Sequence, residues 1–289
     1  MVRPSQLLDP PASRLYTFVD DARAYALYFL EGQKLIQDVA LVHPIRGAGF
    51  AYFRDVVLSV QPMVALLKAG EQFGFYIDSA VPYFRLKIEA NHHGSTRCML
   101  LPEEFQEFPE AMHGLVRVHK LFPKSPPYES VLKVEGLPLR EIVNRVLRDS
   151  YQVNCAMMLS AVSDQSALLH QFPPVPGIGA FEFSAGAVRS RRAQIGESLT
   201  AIFARALHAT DAIEEAFATI GFRLLAHRPM RFHCGCSKPR MVENLQSLHR
   251  EHGPALFDPD GTLQVVCEYC KSSYRISLGE VRSFDGRAH

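Results

Sequence analysis

The sequence predicts an α+β protein in three parts. These are an N-terminal domain of mostly antiparallel sheet with helices (1–176), an amphipathic helical linker (177–231) and a small cysteine-rich C-terminal domain (232–289). Three observations carry that prediction. Stretches such as "EQFGFYID", "PYFRLKIEAN" and "HGLVRVHKLF" are rich in aromatic and branched residues and alternate in polarity, as half-buried strands do. Between 191 and 225 apolar residues recur at helical spacing instead. Beyond them, four of the six cysteines fall in two close pairs, in "FHCGCSKPR" and "VVCEYCKSS".

Composition narrows the function classes. With 47% hydrophobic and 21% charged residues, the chain has the make-up of a soluble globular protein. Its 31 Lys+Arg against 30 Asp+Glu leave a net charge of +1, without the basic excess that phosphate neutralisation demands of a duplex binder. "MVRPSQLLDPPASRLY" has no apolar signal-peptide core, and "VVLSVQPMVALLKAG" is interrupted by Gln61, Pro62 and Lys68. The expectation is a cytoplasmic protein engaging neither nucleic acid nor membrane. In a reducing cytosol, clustered cysteines bind metal or do redox chemistry more often than they form permanent disulfides.

The elements follow in order. Residues 15–68 show helix-like patterning and end in "FAYFRDVVLSVQPMVALLK", a buried helix kinked near Pro62. Two strands over 71–91 close at the turn-prone "NHHGS"; "HGLVRVHKLF" and "VLKVEG" add two more, with "KSPPYES" as a loop between them. In "LPLREIVNRVLRDSYQ", Leu139, Ile142, Val143, Val146 and Leu147 share one helical face. "CAMMLSAV" and "SALLHQF" suit central strands, and the prolines and glycines of 173–181 suit a domain exit. Two helices then carry Ile195, Leu199, Ile202, Phe203 and Leu207, and after a break at Ala209–Thr210, Ile213, Phe217 and Ile220. Thr210 is placed to cap the second.

The cysteine pairs carry the chemistry. Cys234 and Cys236 form CxC, and Cys267 and Cys270 form CxxC, thirty residues further on. Two close thiol pairs that fold back on each other supply the tetrahedron that a structural Zn²⁺ takes. The intervening chain can fold back. "KPRMVENLQSLHREHG" reads as a helix with Pro239 in its first turn, a face of Val242, Leu245 and Leu248, and Gly253 as its stop; Asp260-Gly261 then turns into a strand that delivers Cys267. One zinc per chain is the expected cofactor. A thioredoxin-like dithiol needs a thiolate at a helix N-terminus, whereas Cys267 ends a strand and Cys270 precedes another. His233, His249 and His252 are dispensable as ligands, and Cys98 and Cys155 sit alone in apolar segments. Gly235 gives the CxC backbone latitude. Without metal, Cys234 and Cys236 can pair only in a small strained ring, and strained disulfides are the reducible kind. These residues alone leave an inert structural ribbon and a redox centre both open.

"FHCGCSKPR…CEYCKSSYRI" resembles the zinc centre of the heat-shock protein 33 family of redox-regulated molecular chaperones, in both pair types, their separation and the trailing Tyr274. "YESVLKVEGLPLREIVNRVLRDSYQ" is similar to that family at Tyr128, Glu135, Gly136, Leu139, Ser150 and Gln152, and "LLHQFPP" at Gln171 and Pro174. The chain departs from the family where Ser166 and Ala167 replace paired glycines, where "DSAVPY" lacks a glycine-rich turn, and where Val146 replaces an aromatic.

The resemblance implies a non-enzymatic holdase, inactive while reduced and zinc-bound. Oxidation to two disulfides would eject zinc, unfold the C-terminal part and free the linker to bind unfolding client proteins, with homodimers forming. Thiols close in sequence have the shortest search, so Cys234–Cys236 and Cys267–Cys270 are the expected pairs. The physics agrees: metal binding supplies folding free energy to a small domain, and an uncovered apolar stripe binds clients. The expected client surface is Ile195, Leu199, Ile202, Phe203, Leu207, Phe217 and Ile220. The competing readings are a zinc-ribbon nucleic-acid-binding protein, for which 231–289 offers only eight Lys/Arg against seven Asp/Glu, and a constitutive structural zinc protein. No GxSxG, HExxH or P-loop supports a hydrolase.

Overall fold

A computed structural model of the chain describes residues 10–20, 22–105, 108, 110–138, 141–173 and 183–283, with the side chains of Glu251, His252 and Pro254 outside it. Leu139, Pro174 and all of the expected exit after Pro173 lie outside the described residues. The chain divides into two compact units, residues 1–232 and 233–289.

In the first unit, β1 (Arg14–Asp20) and β2 (Tyr25–Glu31) lead to α1 (Gln33–Val42), the two-residue β3 (Arg46–Gly47) and α2 (Ala48–Val60). The chain from Gln61 to Leu66 tightens into a 3-10 helix, so the break expected near Pro62 is there. Strands β4 (Gln72–Val81), β5 (Tyr83–Asn91), β6 (Ser95–Leu101), β7 (Glu104–Phe105), β8 (Ala111–Leu121) and β9 (Tyr128–Pro138) follow. Next come α3 (Ile142–Asp149), β10 (Cys155–Leu159), β11 (Gln165–Gln171), α4 (Ala185–Ala204), α5 (Thr210–Ala218), β12 (Arg223–Pro229) and β13 (Arg231–Phe232).

Two sheets organise these elements. One has the order β10-β11-β2-β1-β12, antiparallel throughout; the other has the order β13-β6-β5-β4-β8-β9, parallel only at β13–β6. The α+β class with mostly antiparallel sheet therefore stands. The helix-like reading of the first residues does not: 14–31 form two strands. Both faces of β1 and β2 are covered, so the period-2 alternation that marks a half-buried strand is missing. Leu15, Tyr28 and Leu30 enter a core shared with α1, α2, α3 and the larger sheet. Tyr16, Phe18, Leu27 and Phe29 enter a second core on the other face.

α4 and α5 build that second core. Ile195, Leu199, Ile202, Phe203 and Phe217 are each at most 5% exposed, with Leu207 and Ile220 partly buried beside them. Phe217 stacks 4.4 Å from Phe18 and lies 4.9 Å from Phe29, which also faces Phe203. Polar tethers fix the same helices. Arg191 donates to the buried Asp20 at 2.9 Å, and His208 Nδ1 is 2.9 Å from Glu31, a carboxyl that burial pushes above its ordinary range. Gln165 donates to the Leu207 carbonyl. Thr210 is the first residue of α5 and bonds Tyr16 Oη at 3.1 Å; the capping position is Ala209, so the expected Thr210 cap is corrected.

Residues 223–229, within the expected helical linker, instead form β12 and pair with β1. Two of the three family departures are absorbed in the core, whereas Val81 and Tyr83 of "DSAVPY" are exposed. Ser166 donates to the Leu58 carbonyl, while Ala167 and Val146 are fully buried. No helix among the described residues is long and apolar enough to cross a membrane.

The second unit holds α6 (Lys238–His252), β14 (Thr262–Val266), β15 (Ser273–Ser277) and α7 (Leu278–Ser283). Pro239 sits in the first turn of α6, and Gly253 ends it with φ 65°. Val242 and Leu245 are buried with Ile276 and Val281; Leu248 is 45% exposed and leaves the expected face. Asp258 accepts from Gly261 through its carbonyl and from Thr262 through its carboxylate, closing the Asp260-Gly261 turn into β14.

Candidate metal centre

Local structure brings the four thiols together. Cys234 and Cys236 lie on the segment, neither helix nor strand, between Phe232 and the start of α6. Arg240, on the first turn of α6, donates to the Gly235 carbonyl at 2.8 Å and holds that segment. Gly235 takes no left-handed angle, and what it leaves is room, since a Cβ there would meet the Arg240 guanidinium at 3.3 Å. Cys267 and Cys270 occupy the turn between β14 and β15. The Lys271 amide donates to the Cys267 carbonyl, and the Cys267 amide donates to that of Ser272, with Lys271 at φ 60° making the reversal.

All four Sγ atoms lie within 4.8 Å of one another. Cys234 and Cys267 are 3.8 Å apart, Cys236 and Cys270 are 3.2 Å apart, and all four cysteines are free thiols. A tetrahedral ion with metal–sulfur bonds of about 2.3 Å has sulfur–sulfur edges of about 3.8 Å, so the set fits a thiolate-bound ion with small adjustments. The expected ligands are thus one cluster that can hold a metal ion.

The thiols are electrostatically unequal. At Cys270, burial raises the thiol, but hydrogen bonding with Ser272 and with neighbouring thiols outweighs it and brings it down to about 7. At Cys236, burial and the hydrogen bonds of the other thiols push it up to about 12 against the opposing effect of Tyr274, whose Oη is 3.1 Å from its sulfur. A divalent cation would draw all four into the thiolate form, releasing protons. Tyr274 and Ser272 are the polar residues that orient the sulfurs. Sequence marked Tyr274 only through its place in a motif, and Ser272 not at all.

The remaining candidates lie elsewhere. Cys98 is fully buried in the first unit, and burial pushes its thiol well up; Cys155 packs against the same core. His233 is exposed, whereas His249, expected at the surface, packs its ring 6.0 Å from Phe257. Neither joins the thiol cluster.

Comparison with known proteins decides the family. The family profile described as Hsp33 protein matches residues 13–277. The chain belongs to the Hsp33 family. Hsp33 relatives include the 33 kDa chaperonin of Nitrosococcus oceani, 26% identical over 51% of this chain and 50% of that one. Another, from Pelobacter propionicus, is 22% identical over 76% of this chain and 77% of its own. The chain spans about half the length of the first curated relatives it matches. The crystal structure of the 33 kDa chaperonin (heat shock protein 33 homolog) from Thermotoga maritima shares the fold. Its TM-score is 0.71 at 12% identity, covering 94% of this chain and 96% of that one.

Because Cys98 and Cys155 belong to the first unit's core, metal content separates the ligands from the bystanders. Each of Cys234→Ser, Cys236→Ser, Cys267→Ser and Cys270→Ser is expected to lower zinc affinity by about tenfold or more, while Cys98→Ser and Cys155→Ser leave it unchanged. Metal analysis of the reduced variants checks this. Full occupancy in Cys267→Ser would remove it from the ligand set.

Proposed function

We propose that the chain is a redox-regulated holdase. It is latent while Cys234, Cys236, Cys267 and Cys270 hold one zinc as thiolates, and active once they are oxidised. The observation that carries the reading is the four-thiol cluster itself, in a unit whose described core has only four buried apolar side chains. So small a core depends on its metal for stability. A bound zinc would supply the cross-link that holds the unit folded. Oxidation removes the thiolates: each pair gives up two electrons to hydrogen peroxide and forms one S–S bond, while the peroxide takes up two protons from solvent and becomes two waters, and the zinc is released.

The segment ahead of Cys234 gives that event an output. α4 and α5 bury Ile195, Leu199, Ile202, Phe203 and Phe217 against the five-stranded sheet. Once released, those side chains offer the contiguous apolar surface that unfolded client proteins bind and through which oxidised copies dimerise. Residues 1–176 then serve as the core domain, 177–231 as the releasable linker and 232–289 as the switch, in a cytoplasmic protein without enzymatic turnover.

The disulfides are expected to be Cys234–Cys236 and Cys267–Cys270, with the CxxC pair closing first because its longer spacer imposes less ring strain. Peptide mapping during graded peroxide treatment, with zinc release followed in the same samples, tests this. Client protection should rise with the second disulfide. A dominant Cys236–Cys267 cross-link would refute the pairing, and complete oxidation without client protection would leave a constitutive structural zinc protein.

A further inference from the structure

Along α4, beside the face that packs into the second core, runs a groove of about 680 Å³. Its helix wall is Arg189, Arg192, Ala193, Gly196, Thr200 and Ala204, with Leu199 and Phe203 at the floor. The opposite wall is the end of β10 and the turn after it, Met158–Val162, where Val162 is 73% exposed. From Arg189 to Ala204 the groove follows about 22 Å of helix. Its volume lies within the usual range for small-molecule sites, about 300–1,000 Å³, and apolar walls with a few polar groups are the usual lining.

Two features say what would fit. The cations are gathered at one end, in the first turns of α4, and neither Arg189 nor Arg192 pairs with an acid among the described residues. Both arginine side chains are therefore available for an anion, and a guanidinium matches a carboxylate in two-point geometry. The other end is small and apolar. A Cβ added at Gly196 would meet nothing within 4 Å, so the middle of the groove is open space above a residue that costs the helix stability relative to alanine.

We propose that this groove binds a free medium-chain carboxylate, its head group between Arg189 and Arg192 and its alkyl chain along Gly196 to Ala204. Binding clamps α4 to β10 and favours the folded state of α4 by mass action.

The test uses the full-length, reduced, zinc-loaded protein and decanoate below its micellar concentration, by displacement of a dansylated undecanoate. Saturable binding with one site per chain is expected, together with a rise in melting temperature. Arg189→Gln combined with Arg192→Gln should weaken decanoate binding roughly tenfold or more, and 1-decanol should bind the original protein correspondingly worse. Gly196→Leu fills the groove and adds helix propensity; it should abolish binding while leaving the protein as stable as before or more so. Absence of saturable binding overturns the proposal. So does binding that the arginine pair and Gly196→Leu leave unchanged, or decanol binding as well as decanoate. An acidic, leucine-rich peptide that binds where decanoate does not would assign the groove to a protein partner and equally overturn it.

Discussion

A chain ending at Phe232 is expected to protect a denatured client from aggregation in excess reductant, where the full-length chain does not. The cut falls between the two compact units, so it removes the thiol centre without opening either core. It leaves the first unit ending at β12 and β13. β12 is an edge strand whose side chains are mostly exposed, so backbone pairing with β1 is its main anchor. α5 packs next to β12, and α4 shares the core with α5. Burial of the five linker side chains favours docking by roughly 1.5–3 kcal/mol each before chain ordering is charged against it. Ordering two helices and a strand opposes docking, and the net preference is a small difference between large opposing terms, so a modest loss of support can reverse it. The expected gain is from background to the level of the oxidised full-length protein. Hydrogen exchange across 185–222 should speed up in parallel. If the shortened chain protects no better than the reduced parent and those amides stay slow, the centre is structural.

Phe217→Asp is expected to give the second large effect, with zinc still bound. The Phe217 ring is fully buried between Phe18 and Phe29. The substitution forfeits that burial and places a carboxylate among rings that offer it no partner, a loss of several kcal/mol. α4 and α5 should detach, giving client protection under reducing conditions at full zinc content. Phe217→Leu keeps the apolar volume and should stay latent. Latency of the Asp variant with protected linker amides would show that release of these helices is not what exposes the client surface.

The legibility of this chain in its sequence follows the range of the interactions involved. The thiol centre was legible because each pair is local and the helix and turn between them carry Pro239, Gly253 and Gly261 as punctuation. The faces of α4 and α5 were legible because one side packs and the other does not, which leaves a 3.6-residue period. β1 and β2 were misread for the opposite reason: Leu15 and Tyr16 both meet protein, on opposite faces, so nothing polar alternates. β12 was missed because "RLLAHRP" has no strand pattern of its own; its pairing with β1, some 200 residues away, makes it a strand. Thr210 follows the same rule, since its hydroxyl is taken by Tyr16 across the second core and not by the helix end beside it.

In the proposed function, oxidation of the four thiols turns a latent chain into a holdase. That conversion is tested most directly by light scattering of a chemically denatured client, diluted into the full-length protein before and after peroxide treatment and again after reduction with zinc restored. No protection is expected from the reduced chain, strong protection once both disulfides have formed, and a return to latency on reduction. Equal protection by reduced and oxidised chains, or protection by neither, would contradict it.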